Sequence, residues 1–368
     1  MANTRVLVVD DTSLYRTIVS AVLGSIPGVE VVGTAADGKI ALAKMAQLEP
    51  DLITLDVEMP VMDGLETLRR MKTEAPDVTA IMVSSLTREG AAVTLRALEL
   101  GAFDFVAKPA GKDLQANKEE LKRSLQHIIR AYATRRMIRA LEFREKPAGP
   151  RASVEKPAAR PLASARQLHK KHVTPNKRVE IVAIGVSTGG PNALAQVIPN
   201  LPGNLRVPVA VVQHMPPTFT AALAQSLDEK SALRVVEGEE GQVVEAGAVY
   251  IAPGGKHMKI AKRSSLDKAH LALTEDPPEN HCRPAVDYLF RSVAEIYQDR
   301  ALGVIMTGMG ADGALGLKEM KKWDVKAIAQ DEQTSVVFGM PMEAIKAGVV
   351  DTVQPLEHIA TEIARMVG

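Results

Sequence analysis

The sequence predicts an α/β protein built from two doubly wound, parallel-sheet domains joined by a basic linker. Three observations lead there. Short apolar runs alternate with amphipathic helical stretches twice along the chain. A segment rich in Pro, Lys and Arg, poor in large apolar residues, separates the two series. Polar residues with chemical potential follow directly on several of the apolar runs. At 368 residues, 46% of them hydrophobic, the chain is long enough to bury two separate cores.

In the first series, residues 6–9, 29–32, 51–55, 80–83 and 103–106 read as short buried strands, and each of the first four leads into a helical stretch. After Asp11-Thr12-Ser13, which can cap a helix, Leu14, Ile18, Ala21 and Val22 share one helical face. Strands alternating with helices mean a parallel sheet covered on both sides. A last helix is expected to begin near Asp113 and run past Arg139. From about 142 to 178, Pro147, Pro150, Pro157, Pro161 and Pro175 punctuate a stretch in which Lys and Arg heavily outnumber Glu, as in a solvated tether. A second series begins at Val179. Its strands are expected at 181–184, 207–212, 249–252 and 302–306, with helices near 191–199, 218–227, 284–297 and 312–322. The expected organisation is a five-stranded domain over 1–125, a helix extension and flexible basic linker over 126–177, and a larger Rossmann-like sheet over 178–368.

Composition excludes several classes. A net charge of +1 and 3% aromatic residues give no general basis for nucleic-acid binding. One cysteine, Cys282, rules out a disulfide framework within the chain and fits a reducing, cytoplasmic setting. The first residues do not read as a signal peptide, and no apolar run approaches the roughly 20 residues that span a bilayer.

Asp10 and Asp11 end the first expected strand, Asp56 the third, and Lys108 follows the fifth. The carboxyl ends of parallel strands converge on one crevice. Three carboxylates there repel one another unless a hard cation such as Mg2+ lies among them. A phosphoryl group arriving on one of them is then neutralised by metal and by the Lys108 ammonium, with Ser84 placed to donate to its oxygens. The stretch around 4–125 resembles response-regulator receiver domains. Asp10-Asp11, Leu55-Asp56-Val57-Glu58-Met59-Pro60-Val61-Met62-Asp63-Gly64, Ser84-Ser85 and Lys108-Pro109 carry that likeness. The resemblance implies that Asp56 is the phosphoacceptor, fed by a sensor histidine kinase. It implies that Asp11, Asp56 and the Glu58 carbonyl hold Mg2+ with help from Asp10. Ser84 and Phe105 match its switch positions, although Phe105 lacks the hydroxyl of the tyrosine often found there.

In the second series, Gly185-Val186-Ser187-Thr188-Gly189-Gly190 falls between a strand and a helix, the context in which G-x-S-x-G presents a serine nucleophile on a sharp turn. The helix N-terminus offers N–H groups to a developing oxyanion. Serine needs a base, and the base an orienting carboxylate. His214 and Asp312 each follow another strand, so all three converge on one sheet edge. His257 is the rival base, with a structural or substrate-positioning role as its alternative. His281 beside Cys282 hints at metal or thiol chemistry, but no further cysteine exists and a packed loop pair is the simpler reading.

Residues 178–367 resemble the catalytic domain of chemotaxis receptor protein-glutamate methylesterases. Gly-Val-Ser-Thr-Gly-Gly, Gln-His-Met-Pro, Ile-Ala-Pro-Gly-Gly-Lys-His-Met, Thr-Gly-Met-Gly-Ala-Asp-Gly and Ala-Gln-Asp-Glu-Gln-Thr-Ser-Val-Val-Phe-Gly-Met-Pro carry the likeness. The resemblance implies Ser187 as nucleophile, His214 as base and Asp312 as its partner, with Thr188 and Met309 lining the site and no cofactor there. Ala311 stands where Asn is expected. The implied activity is hydrolysis of glutamate γ-methyl esters on methyl-accepting receptors, with glutamine deamidation by the same residues. The implied control is a receiver that covers the crevice until it is phosphorylated. Two other classes compete: a phosphorylation-controlled nucleic-acid binder using the basic linker, and a catalytically silent signalling scaffold.

Overall fold

A computed structural model describes residues 3–144, 178–262, 264 and 266–368. The basic linker falls almost wholly outside the described residues.

The first domain runs β1 (Thr4–Val9), α1 (Ser13–Gly24), β2 (Val29–Ala35), α2 (Gly38–Leu48), β3 (Leu52–Asp56), α3 (Gly64–Glu74), β4 (Thr79–Ser84), α4 (Arg88–Glu99), β5 (Asp104–Ala107) and α5 (Leu114–Arg144). Its sheet is parallel throughout, in the order β2-β1-β3-β4-β5. The central β3 is buried at every position, as expected of a strand covered on both faces. Asp37, Asp63 and Thr87 cap α2, α3 and α4, each side chain accepting from a backbone N–H of the first turn.

The second domain contains β6 (Ile181–Val186), α6 (Gly190–Val197), β7 (Val209–Gln213), α7 (Phe219–Asp228), β8 (Arg234–Glu237), β9 (Ala248–Ile251), β10 (His257–Ala261), β11 (His270–Thr274), α8 (Val286–Tyr297), β12 (Ala301–Ile305), α9 (Ala314–Lys321), β13 (Lys326–Gln330), α10 (Met340–Lys346), β14 (Thr352–Gln354) and α11 (Leu356–Val367). Seven of its strands form a parallel sheet in the order β14-β13-β12-β6-β7-β9-β8, while β10 and β11 pair as an antiparallel hairpin outside it. From β6 the chain proceeds to β7 on one side and returns to β12 on the other. The strand order therefore reverses beside β6, which opens a crevice at the carboxyl ends of β6, β7 and β12.

The two domains pack against each other along two seams. In the first, α4 lies on α7, and Leu95, Leu98 and Phe105 belong to the same apolar cluster as Phe219, Leu223 and Ala224. Phe105 stacks on Phe219 with ring centroids 4.4 Å apart. Asn192 Nδ2 donates to the Leu98 carbonyl at 2.9 Å, and Lys230 pairs with Glu99 at the rim. In the second seam, Leu121, Leu125 and Ile128 of α5 share a cluster with Val336, Val337 and Met309 from loops at the crevice. The receiver-like domain thus sits over the crevice of its neighbour.

Candidate active site and phosphoacceptor site

Gly189 and Gly190 shape the turn that carries Ser187. Gly189 has φ +77°, and a Cβ there would lie 2.5 Å from Val336 Cβ. A Cβ on Gly190 would meet Gln213 Oε1 at 1.9 Å. Both positions therefore exclude a side chain, and the chain can leave β6 sharply to enter α6. Gln213 is buried at the end of β7, and its Nε2 donates to the carbonyls of Ser187 and His214 at 3.0 and 3.1 Å. One amide thereby ties the serine turn to the histidine loop.

Ser187 follows β6, His214 follows β7 and Asp312 lies past β12, so the three converge as expected. His214 Nε2 is 2.7 Å from Asp312 Oδ2. Burial works against a charged imidazole, but Cys282 and Asp312 outweigh it and push the His214 pKa up to about 10. Burial also opposes the charge on Asp312, yet His214 and the N–H groups of Asp287 and Val286 hold its carboxyl below the usual range. The result is an imidazolium–carboxylate pair. Among the described residues no hydrogen bond joins Ser187 Oγ to His214, whose Nε2 is taken by Asp312, so nucleophile and base are not engaged in this arrangement.

Thr188 is buried and lies close enough to Asp104, on β5 of the other domain, to help stabilise its charge. Burial pushes the Asp104 carboxyl up to about 6, against the pull of the Phe105 N–H and Thr188. Met309 packs against the α5 cluster. His127 of α5 lies near enough to His214 that, after burial, the charge of His214 is the next cause lowering its pKa. His257 does not join the serine. It is fully buried, its Nε2 lies 3.1 Å from the Pro277 carbonyl, and its ring stacks on Tyr288 at 4.4 Å.

Cys282 departs from the expectation of a packed loop pair with His281, because its side chain reaches His214. Neither Cys282 nor His127 gave any signal in sequence beyond its residue type. The strands β8, β13 and β14 and the β10–β11 hairpin are also additional to the four strands expected in this half. The Ala311 carbonyl accepts from Ala314 N at 3.1 Å, so the loop closes there without an Asn side chain.

At the carboxyl edge of the first sheet, Asp10, Asp11 and Asp56 bring carboxylate oxygens within 4.8 Å of one another. Asp10 and Asp56 are buried while Asp11 is exposed. Lys108 Nζ lies 2.7 Å from Asp10 Oδ2 and from Asp56 Oδ2. Burial pushes the Asp56 carboxyl up to about 6, aided by Asp10 and opposed by Lys108. Burial lowers the Lys108 pKa, but its two carboxylate partners outweigh that and raise it. An all-oxygen set with surplus negative charge suits a hard divalent cation. Ser84 Oγ does not face this cluster as a free donor: it is fully buried and donates to the Gly90 carbonyl of α4 at 3.2 Å. Glu58 lines the adjoining cleft with Asp11 and Met59.

Comparison with known proteins agrees with both halves. The response regulator receiver domain family matches residues 6–118, and the CheB methylesterase family matches residues 182–363. A protein-glutamate methylesterase/protein-glutamine glutaminase of Desulfotalea psychrophila is 50% identical over 368 residues, covering 100% of this chain and 99% of that protein. One from Bacillus subtilis is 44% identical over 99% of this chain and 98% of its own. The crystal structure of the Thermotoga maritima CheB methylesterase catalytic domain covers 51% of this chain and 99% of its own, at 44% identity and a TM-score of 0.50. With a receiver fold stacked over a serine-bearing crevice and relatives matched end to end, the chain belongs to the protein-glutamate methylesterase/protein-glutamine glutaminase family.

Proposed function

We propose that this chain is a phosphorylation-controlled serine hydrolase that removes methyl esters from glutamate side chains of methyl-accepting chemotaxis receptors. It also converts receptor glutamine amides to glutamate, and it acts in the cytoplasm. The observation that carries this reading is the convergence of Ser187, the His214–Asp312 pair and Thr188 in one crevice, under a domain that bears its own acidic phosphoacceptor cluster. Residues 1–125 form the receiver, 126–177 the helix extension and linker, and 178–368 the catalytic domain. No helix among the described residues is long and apolar enough to cross a membrane.

In the reaction, Ser187 Oγ attacks the ester carbonyl and gives its proton to His214, which must first be free of its own. Asp312 holds the ring. Backbone N–H groups at the α6 N-terminus, beside Thr188 and opposite Met309, receive the oxyanion. As the carbonyl re-forms, the C–O bond to methoxide breaks and His214 protonates the departing oxygen, releasing methanol. Water then attacks the acyl-serine by the reverse proton path, leaving glutamate and free Ser187. An amide substrate follows the same steps and releases ammonia. The hydrolase site uses no cofactor.

In the receiver, a sensor histidine kinase supplies the phosphoryl group to Asp56. Asp10, Asp11, Asp56 and the Glu58 carbonyl would hold Mg2+, which when bound neutralises charge on the transferred group. Lys108 supplies a second positive charge. Ser84 and Phe105 sit where the receiver meets its neighbour: the Ser84 hydroxyl engages α4, and Phe105 meets Phe219. A Ser84 hydroxyl drawn to phospho-Asp56 leaves the Gly90 carbonyl and loosens α4 from α7. The unengaged Ser187 supports the closed arrangement as the resting state. The test is methanol release from methylated receptor membranes by the full chain, with and without a small phosphodonor and Mg2+. Release should rise on phosphorylation and vanish in Ser187→Ala. Release by Ser187→Ala at the normal rate would falsify the assignment.

A further inference from the structure

Asp312 makes more hydrogen bonds than holding an imidazole requires. Its Oδ2 accepts from His214 Nε2 and Val286 N, both at 2.7 Å. Its Oδ1 accepts from Asp287 N at 2.9 Å and from Asn280 Nδ2 at 3.0 Å. The same Asn280 Nδ2 donates to Asp287 Oδ2, also at 3.0 Å. The two hydrogens of one amide thus join two carboxylates. Asp287 is 1% exposed, and its other oxygen accepts from Gly313 N and Gly316 N at 2.9 and 2.6 Å.

Fastening the start of α9 needs only Oδ1 of Asp287. That role leaves unexplained why Oδ2 is turned toward Asp312, and why the chain bends to place Asn280 between them. Asn280 has φ +52°, a left-handed conformation that Asn tolerates better than most residues. A second buried carboxylate beside the first is unfavourable unless hydrogen bonds and a nearby positive charge offset it. The charged and titratable groups facing it are few: His214 from the β7 loop, Asp312 from the β12 loop, and Arg291 on α8, paired to Glu279 at 2.5 Å. Cys282 of the same excursion also favours the charged form of His214.

We propose that Asn280 and Asp287 are positioning residues of the hydrolase: the Asn280 amide clamps Asp312 to Asp287, and the joined carboxylates together fix the orientation and basicity of His214. The clamp rests on the Ser187, His214 and Asp312 assignment above. Burial pushes the Asp287 carboxyl up to about 6, with Asp312 adding to the effect while Gly316 N and Asn280 hold it back. Asp287 is therefore ionised at neutral pH and adds its field to that of Asp312, and it loses that field on acidification through about 6.

The test uses the full chain with phosphodonor and Mg2+, and two variants. Asn280→Gly removes the amide while giving the left-handed position a residue that adopts it without strain. Asp287→Asn removes the charge. Two readouts are taken: kcat and KM for methanol release, and the titration midpoint of the His214 imidazole by NMR. Both variants should lower the His214 midpoint by about one unit and, because more of the imidazole is then free of its proton, raise kcat at neutral pH by up to about tenfold, with KM unchanged. The kcat difference between Asp287→Asn and wild type should close below pH about 6, where wild-type Asp287 takes up its own proton. An unshifted midpoint overturns the clamp, as does wild-type kcat despite a shifted midpoint, or an activity loss that follows a lowered unfolding temperature alone. If Ser187→Ala keeps activity, the catalytic assignment fails, while the His214 midpoint still reads the clamp.

Discussion

Phe105→Ala should turn on the unphosphorylated protein. The Phe105 ring stacks on Phe219, and both are almost wholly buried where the two domains meet. A phenylalanine side chain buries about 150–250 Å². If about half of that faces the other domain, the ring hides roughly 100 Å² at the seam. At about 25 cal/mol per Å², that is about 2.5 kcal/mol. The aromatic pairing adds about 0.5–1.5 kcal/mol. Closure should therefore weaken by about 3–4 kcal/mol, or several hundredfold in the closed-to-open ratio. Basal activity rises by that factor or until it reaches the rate of the fully open enzyme, whichever comes first. Phe105→Leu keeps most of the area and loses the stacking, so its increase should be about tenfold or less. Two assays on the full chain without phosphodonor report this: methanol release, and the rate at which a phosphonate labels Ser187. A folded Phe105→Ala protein with wild-type values in both would refute the closure argument, since the α5 seam would then hold the crevice shut without this ring.

Weaker and more conditional effects are expected elsewhere. Glu99→Lys sets two ammonium groups together where Glu99 now pairs with Lys230; because both side chains are about 40% exposed (41% and 39%), basal activity should rise by about fivefold at most, and high salt should erase the rise. Asp104→Asn should do the opposite. The Asp104 carboxyl sits at about 6 when closed, above its usual 3.8, so protonation favours closure: closure strengthens as pH falls through about 6 and weakens above it. Asn carries no charge to bury, so the variant's basal labelling rate should be below wild type at pH 7.5 and converge with it under acid conditions; a ratio that does not change with pH contradicts the assignment. Mg2+ should raise the unfolding temperature of the receiver by mass action, by about 2.7 kcal/mol of stability at 100 times its Kd, and Asp11→Ala should abolish the effect in calorimetry.

The parts of this molecule legible in the sequence are those set by local pattern. Runs such as 52–56 and 181–186 are apolar because both faces of a parallel strand are covered, and the residues after them are polar because strand ends meet water or ligand. Asp56, Ser187 and His214 could be found for that reason alone. The strand Lys326–Gln330 escaped because it has polar residues at both ends and only Ile328 as a large apolar side chain, and the hairpin His257–Ala261 with His270–Thr274 escaped because its polar positions resemble a loop. The deeper layer of the site was illegible for a different reason. Asn280 and Cys282 reach the triad through an excursion between the hairpin and α8, Asp287 from the first turn of α8, and His127 through a helix of the other domain. No spacing rule links them to Ser187. Only the packing does.

That packing restrains the reaction in two independent ways, only one of which belongs to the closed state. Covering the crevice is one, and it depends on the seams at Phe105 and α5. Keeping the base loaded is the other, and it depends on groups within the catalytic domain: Asp312 and Cys282 hold a proton on His214 while Ser187 is not engaged with it. The first is removed by separating the domains. The second is not, because Asp312 and Cys282 stay with His214 when the receiver leaves. Cys282→Ala should therefore lower the His214 midpoint in the closed chain without speeding phosphonate labelling to the level of Phe105→Ala, since access is still blocked. Cys282→Ala combined with Phe105→Ala should label faster than either alone, with factors that multiply because the two act on separate steps. A double variant no faster than Phe105→Ala would mean that the proton on His214 is governed by the cover itself, and that the two restraints are one.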